Sequence, residues 1–485
     1  MNHQPSGLAS NATRYLCVAV QLDGKLAKRA IESVLQEPRR AVASSPGVDL
    51  VCVLRYALAA RSRRAVVQVL LVLIAFGLLA SVIRPVVNLV SSTPSLPSPE
   101  LVIPLLAGAW AVVLAERLVT FYGVLKPKLS RTAFDPVHAP RAQPQDEVLL
   151  SQLAAQDQQG NVSVFSGYEP FFGYGNLLGT WSFTVAVDRP GEGFDAVLPF
   201  TVKELTAAVT RAVESLGLPG VDISERVFVN GADLAQGLGP ALRWLLLPDL
   251  KSRPRASLAP DAVEQLREDG SGRVRPYLVT TVSGWEGDLV TTNTVRFSLS
   301  PAKDLLFVEG GAWLLPPVHR RYHLVDHLLD RPTSRQLGIL VKSSFNAVPA
   351  RLVTSLFGVL AMPSAALTGS RKDREQLRQI DRNAFDYGAQ FSLRQAVNDP
   401  YFQRYFQKID QQMYTKVVEH RTMDALVDFL KDHDIDVSEL RKRQSVIYNG
   451  GIFTSGNAST NFVNSAVTAG PGASIRALIG RDASE

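Results

Sequence analysis

Hydrophobic and polar positions divide the chain into three regimes. The first is two long apolar runs. Ala65 to Ile83 reads AVVQVLLVLIAFGLLASVI, which has no charge and one strongly polar side chain, Gln68. As a helix it is about 28 Å long, close to the roughly 30 Å hydrocarbon core of a bilayer. It lacks the polar stripe that a core helix of a globular protein carries. The second run, Leu101 to Leu125, is uncharged until Glu116 and Arg117, and LVTFYGVL follows. The long side chains at 116 and 117 suit the membrane interface, with Phe121 and Tyr122 at headgroup level. Between the runs, SSTPSLPSPE holds three prolines and no Lys or Arg. The pattern predicts a transmembrane hairpin over residues 65–125.

The second regime alternates with period two. NVSVFSGY, TWSFTVAVD and ERVFVNG read as strands, and Arg275–Trp285 and Asp288–Ser298 form a hairpin around a tight Gly-Trp-Glu-Gly turn. Leu305–Trp313 is a further strand, stopped by Pro316-Pro317. Leu205, Val209 and Val213 fall on one face of a helix at Val202–Leu216. Residues 161–318 therefore predict an α+β domain with a mixed sheet. The third regime, residues 319–445, is helical, with segments at Val318–Leu329, Leu337–Asn346, Arg351–Leu360, Arg371–Asn383 and the aromatic-rich Tyr401–Leu430. Residues 446–485 are a Gly/Ser/Asn-rich tail that reads as a glycine-rich, partly ordered β-hairpin or a mobile tail.

Before the hairpin, RYLCVAVQLD predicts a short strand at Tyr15–Leu22. Helices at Lys25–Gln36 and Val48–Arg64 follow, making residues 1–64 a small cytoplasmic α/β module. Residues 126–160 are a polar, Pro/Gln-rich linker with one helix near Asp146–Ala155. The fold class that results is α+β: a two-helix transmembrane hairpin joined to a mixed-sheet cytoplasmic domain with a helical C-terminal region.

Composition narrows the function. With 46% apolar and 20% charged residues the chain is not disordered. Two cysteines, Cys17 and Cys52, exclude a disulfide scaffold and read as reduced, buried thiols. The net charge of +6 first suggests nucleic acid, but residues 1–64 carry ten basic and four acidic side chains, so the excess lies beside the first run. The remainder is neutral and has no footprint for nucleic acid. Arg61, Arg63, Arg64, Lys126, Lys128 and Arg131 flank the hairpin as a membrane-proximal basic set facing anionic lipid. By the positive-inside rule they place both termini in the cytoplasm and the proline-rich turn outside.

Chemical motifs are sparse. Gly173-Tyr-Gly175-Asn-Leu-Leu-Gly179 resembles a phosphate loop, but a strand follows it where an anion site needs a helix N-terminus. A glycine turn between strands accounts for it. The aromatics around it, Phe165, Tyr168, Phe171, Phe172, Tyr174 and Trp181, are either core or a protein-interaction surface. His319, His323 and His327, spaced i, i+4, i+8, share one face of a predicted helix, although the outer two lie about 12 Å apart, too far for one metal ion. Asp432-x-Asp434-x-Asp436 opens like a calcium loop, but Val437 and Arg443 stand where that loop needs Gly and Glu, so a helix end with a capping Asp436 fits better. Glu286 and Asp288 flank a tight turn. No catalytic residue, cofactor site or metal site is predicted, and an enzyme is not excluded. Val341–Gly369 is apolar but broken by Lys342, Pro349, Arg351 and Pro363. It is too interrupted to span, and as an amphipathic helix it would lie on the bilayer, close a partner groove or pack within the soluble domain.

Three stretches carry a resemblance: RYLC with GVDLVCVLRYAL, NVSVFSGYEPFFGYG with WSF, and DYGAQFSLRQA. Together they resemble an uncharacterised actinobacterial, Streptomyces-like, membrane protein family with a cytoplasmic N-terminal module, a transmembrane hairpin and a C-terminal cytoplasmic domain. The resemblance implies membrane docking or effector partners of cytosolic assemblies, phage-tail-like contractile particles among them. The leading expectation is an inner-membrane scaffold or receptor that binds membrane lipid and tethers a cytosolic protein partner. A membrane-active effector that forms an oligomeric pore, with homo-oligomers of the chain, and a membrane-anchored enzyme are the alternatives.

Overall fold

The computed structural model describes residues 10–90, 99–268 and 272–442. The tail at 446–485 and most of the proline-rich turn lie outside the described residues.

The N-terminal segment is helical where RYLCVAVQLD predicted a short strand. Helix α1 spans Asn11–Leu22 and starts at Ser10, whose side chain accepts the Thr13 N–H. Ala12 to Gln21 are all buried, so the run has no exposed face and its pattern cannot separate a buried helix from a buried strand. Asp23 caps α2 (Gly24–Ala30) through the N–H groups of Lys25 and Leu26, and a π-helical turn, Ile31–Leu35, extends it. Residues 10–64 are thus an all-helical unit, not an α/β one. Helix α3 runs unbroken from Leu50 to Val90 across the predicted module boundary at Arg64. Helix α4, Pro99–Leu118, continues through a π-helical segment, Val119–Leu125, to Lys126–Leu129. Helix α5, Pro144–Gln159, packs on α3.

The sheet follows the period-two segments: β1 Val162–Phe165, β2 Asn176–Ala186, β3 Val221–Asn230, β4 Val274–Gly284, β5 Leu289–Leu299 and β6 Leu305–Leu315. Its order is β1-β3-β4-β5-β6-β2, with β1 parallel to β3 and the other pairs antiparallel. Alternate residues of β4 serve two layers. Leu278 and Val282 pack with Leu205, Val209 and Val213 of α6 (Val202–Glu214). Tyr277 and Val279 join Phe171, Tyr174, Phe228 and Trp313 on the opposite face.

After Pro317 the chain departs from the predicted short helices. Arg320–His327 is a 3₁₀ helix. The next three predicted segments are one helix, α7, Ser334–Asp381, begun by a Thr333/Gln336 capping box. Helix α8, Tyr405–Asp432, returns to cover β5 and α6. Its Val418, Leu426 and Leu430 close the core, each burial favourable by roughly 1.5–3 kcal/mol. The N-terminal helices share their core with Val318, Tyr322, Val325, Phe391 and Leu393, so the soluble parts before and after the hairpin are knit together.

Candidate membrane anchor and its polar base

The two apolar helices present their side chains outward. Val66, Val69, Leu73 and Phe76 of α3 and Leu101, Ile103 and Leu106 of α4 are exposed. What α3 and α4 do bury, they bury against each other and against α7: Val67 and Leu71 meet Ala109, Val113 and Val348. The lone polar residue of the first run points into this contact, where Gln68 Nε2 donates to the Ser355 carbonyl at 3.4 Å. Glu116 is buried and pairs with Arg351 of α7 at 2.9 Å, and Arg117 donates to Ser343. A third helix therefore pairs the Glu116 charge and offers Arg117 a hydroxyl acceptor.

The basic set at the hairpin base is largely occupied by protein. Arg61 meets Asp146 at 3.4 Å, and Arg63 donates to the Gln21 side chain at 2.7 Å. Arg64 donates to the carbonyls of Val20 and Gln21. Lys126 reaches the Leu328 carbonyl at 2.8 Å and Asp330 at 3.1 Å, and Arg131 pairs with Glu286 at 2.7 Å. Lys128 is exposed. These side chains fasten α3 and the end of α4 to the soluble helices, in addition to their placement beside the apolar runs.

A second polar cluster joins α1 to the sheet domain. Arg14, almost fully buried, clasps Asp326 with both terminal nitrogens at 2.6 and 3.2 Å, and Tyr15 Oη donates to the same carboxylate at 2.7 Å. Burial works against the Asp326 charge, but these hydrogen bonds prevail and hold its pKa below the usual value. Tyr15 stacks on His323 with ring centroids 3.9 Å apart. His323 Nε2–H donates to the Val318 carbonyl at 3.0 Å, while the Val318 N–H donates to Asp288 at 2.9 Å. Burial lowers the pKa of His323 and raises that of Asp288. Arg394, fully buried, donates to the carbonyls of Asp288 and Pro316 at 2.8 and 2.7 Å and to Asn398.

The remaining candidates resolve as follows. His319, His323 and His327 do not share a face. The segment is 3₁₀, so a step of four residues turns about a third of a circle past a full turn. His319 caps the helix by accepting the Arg321 N–H, His323 is in the cluster above and His327 is exposed. Among the described residues no group of three or more His, Cys, Asp or Glu side chains is placed to hold a metal ion. The glycine loop is a close-packed turn. Gly173 and Gly175 have φ of +102° and +100°, and a Cβ on Gly175 would lie 2.0 Å from the Leu314 carbonyl oxygen. Phe171 and Tyr174 are core, which removes them from a contact surface; Phe165 and Phe172 are half-buried and Tyr168 is exposed. Trp181 lies over Gly310 and hydrogen-bonds Glu419 of α8, whose pKa burial raises to about 7. Asp436 caps the turn after α8 by accepting the Ser438 N–H at 2.9 Å. Cys17 and Cys52 are buried free thiols in contact, with sulfurs 3.8 Å apart.

Sequence reasoning missed the row of exposed side chains at the start of α8. Tyr405, Ile409 and Met413 lie at i, i+4, i+8, beside Phe406 and near Tyr401. The spacing was present in the sequence, but it is the same spacing that a buried face would show.

Fold and site together define an α+β protein with a mixed-sheet domain and two helices long and apolar enough to cross a membrane. The chain belongs to the AbeC-like domain family, whose model matches residues 180–462. The match begins inside β2 and takes in β3 to β6, α7 and α8, leaving β1, α3 and α4 outside it. No curated protein and no solved structure matches the chain.

Proposed function

We propose that the protein is an integral scaffold or receptor of a bacterial, by resemblance actinobacterial, inner membrane, with both termini in the cytoplasm, and that it holds a cytosolic protein partner at the bilayer. The observation that carries this reading is the exposure of the two apolar helices. Their most apolar windows have mean hydropathy of 2.2 and 1.8, yet 17% and 11% of those windows are buried within the fold. A core helix of a soluble protein is covered by its neighbours; these are covered on one side by each other and α7. Bilayer is the solvent in which such a surface is stable. The basic side chains at the hairpin base support the orientation.

For the partner, support comes from the exposed row Tyr405, Ile409 and Met413 with Phe406, an aromatic and Met-bearing patch of the kind enriched at protein interfaces. Fractionation and crosslinking of the full-length chain test both parts. The wild type should stay in the membrane pellet after alkaline carbonate, and release into the supernatant would overturn the anchor. The triple substitution Tyr405→Lys, Ile409→Lys, Met413→Lys should keep the protein in the pellet and abolish the crosslinked partner band. An unchanged band would remove this face from the proposal.

A further inference from the structure

We propose that α7 is a third membrane element, a helix that lies in the plane of the cytoplasmic leaflet with its outer face in lipid. The inference rests on the anchor reading above and goes beyond it. Three observations converge. First, both ends of α7 are tied to the soluble side. At its start, Gln336 accepts from Tyr122 at 3.5 Å, close to the Lys126–Asp330 pair. Near its end, Lys372 pairs with Glu37 at 3.0 Å, Gln376 bonds the same carboxylate, and Asp373 pairs with Arg39 at 2.6 Å. One continuous helix with both ends on one side does not cross a bilayer. It lies along it.

Second, the level at which α7 crosses the hairpin is that of the hydrocarbon boundary. Its Val348 and Leu352 meet Val67, Leu71 and Ile74. Those residues lie about 3–13 Å along the helix from Ala65, where the apolar run begins. Interfacial helices sit at about 5–10 Å. At the same level Val66, Val69 and Leu73 of α3 are exposed, so whatever solvates them meets α7 as well.

Third, the face of α7 turned from the protein is mostly apolar, with Lys342 and Asn346 among its exposed polar members. Ser344, Val348 and Ser355 are buried against the hairpin. Ile339, Val353 and Phe357 fall on the opposite side and Phe345 on the flank, with exposures of 60, 52, 66 and 68%. Lys342 among them is long enough to snorkel to headgroups. The lipid-facing surface of the hairpin and this face are continuous, which makes lipid the occupant.

Spin labels on cysteines introduced singly at 345, 353 and 357 test this, in full-length protein reconstituted in phosphatidylcholine/phosphatidylglycerol vesicles. Cys17 and Cys52 are buried and do not compete for the label. A Leu73→Cys label reports the hairpin, and Arg335→Cys and Glu375→Cys labels report water. The three α7 labels should be several-fold more accessible to oxygen, relative to an aqueous nickel relaxant, than the water controls, at a depth shallower than position 73. If position 73 is in lipid and the α7 labels match the water controls, the inference falls and the anchor stands. If position 73 is itself aqueous, the anchor reading fails. Dipolar broadening between labels at 345 on different copies, without oxygen accessibility, would assign the face to a second copy of the chain and overturn the inference.

Discussion

Strand β5 and helix α3 invert each other. Thr291, Thr292, Asn293 and Thr294 are buried in the middle of the sheet, while Val66, Val69, Leu73 and Phe76 are exposed on the helix. β5 is covered by α8 on one face and paired on both edges, so polar residues lie inside because the layers around them are complete. Threonine suits that place, being β-branched and able to pack on a pleated surface. Apolar residues lie outside on α3 because the fold supplies neighbours for one side of the helix. Where a side chain ends up is decided by what surrounds its element. The inversion locates the apolar surface that the fold leaves uncovered.

Breaking the buried side of that comparison should have the largest effect. Arg394→Met removes the donors that serve the carbonyls of Asp288 and Pro316 and leaves them buried. A loss of about 3–5 kcal/mol is expected, read as a shift of the denaturant midpoint of the detergent-solubilised protein. A loss below about 1 kcal/mol would mean that the cluster is ornamental to stability.

Two leucines two residues apart sharpen the exposed side. Leu71 is fully buried against α4 and α7, and Leu73 is 63% exposed. In detergent, Leu71→Ala should cost about 2–4 kcal/mol and Leu73→Ala less than about 0.5. Equal costs would contradict the packing of α7 on the hairpin.

Glu419 gives a pH handle on the sheet layer. Burial raises its pKa from 4.5 to about 7, against a hydrogen bond from Trp181 and the Lys416 charge that lower it. The folded state therefore holds the proton more tightly than the unfolded chain. The stabilisation this brings is complete below about 4.5 and disappears as pH rises through about 7. Glu419→Gln should flatten the stability profile across that window and raise stability by about 1–2 kcal/mol at pH 8 relative to wild type. A profile unchanged by the substitution would place the titration elsewhere.

A smaller effect than that of Glu419 is expected for the Glu116–Arg351 pair. Glu116 is buried but Arg351 is half-exposed, so a double-mutant cycle in detergent should return about 0.5–1 kcal/mol, reduced by salt. A coupling of zero would leave the α7 contact to its apolar residues.

Some elements were legible from the sequence. Strands β4 and β5 are buried on both faces and showed through the tight Trp285-Glu286 turn between them, and α6 showed through Leu205, Val209 and Val213 at helical spacing, because one of its faces is buried and the other is not. The apolar helices were legible because they face one surrounding nearly all round. The misreadings share a cause. α1 is buried on all sides, so RYLCVAVQL has no period to read. The three histidines were placed with α-helical geometry on a 3₁₀ segment. α7 was divided at Pro349 and the charged residues because packing against the hairpin, which holds the helix together, is not visible locally. For Phe171 and Tyr174 the sequence left core and contact surface both open, and the Gly-rich loop that carries them folds back against Ser44 and Leu314.

Helix α3 has one more consequence. It is unbroken from Leu50, inside the N-terminal core, to Val90 in the hairpin, and no flexible joint separates the two. The soluble unit cannot swivel freely on its stalk, so a tilt of the stalk is a tilt of the whole head, and α7, fastened at both ends, works as a strut against twisting. Anything seated on the head is held at a set angle as well as a set place, as on a bracket rather than on a tether.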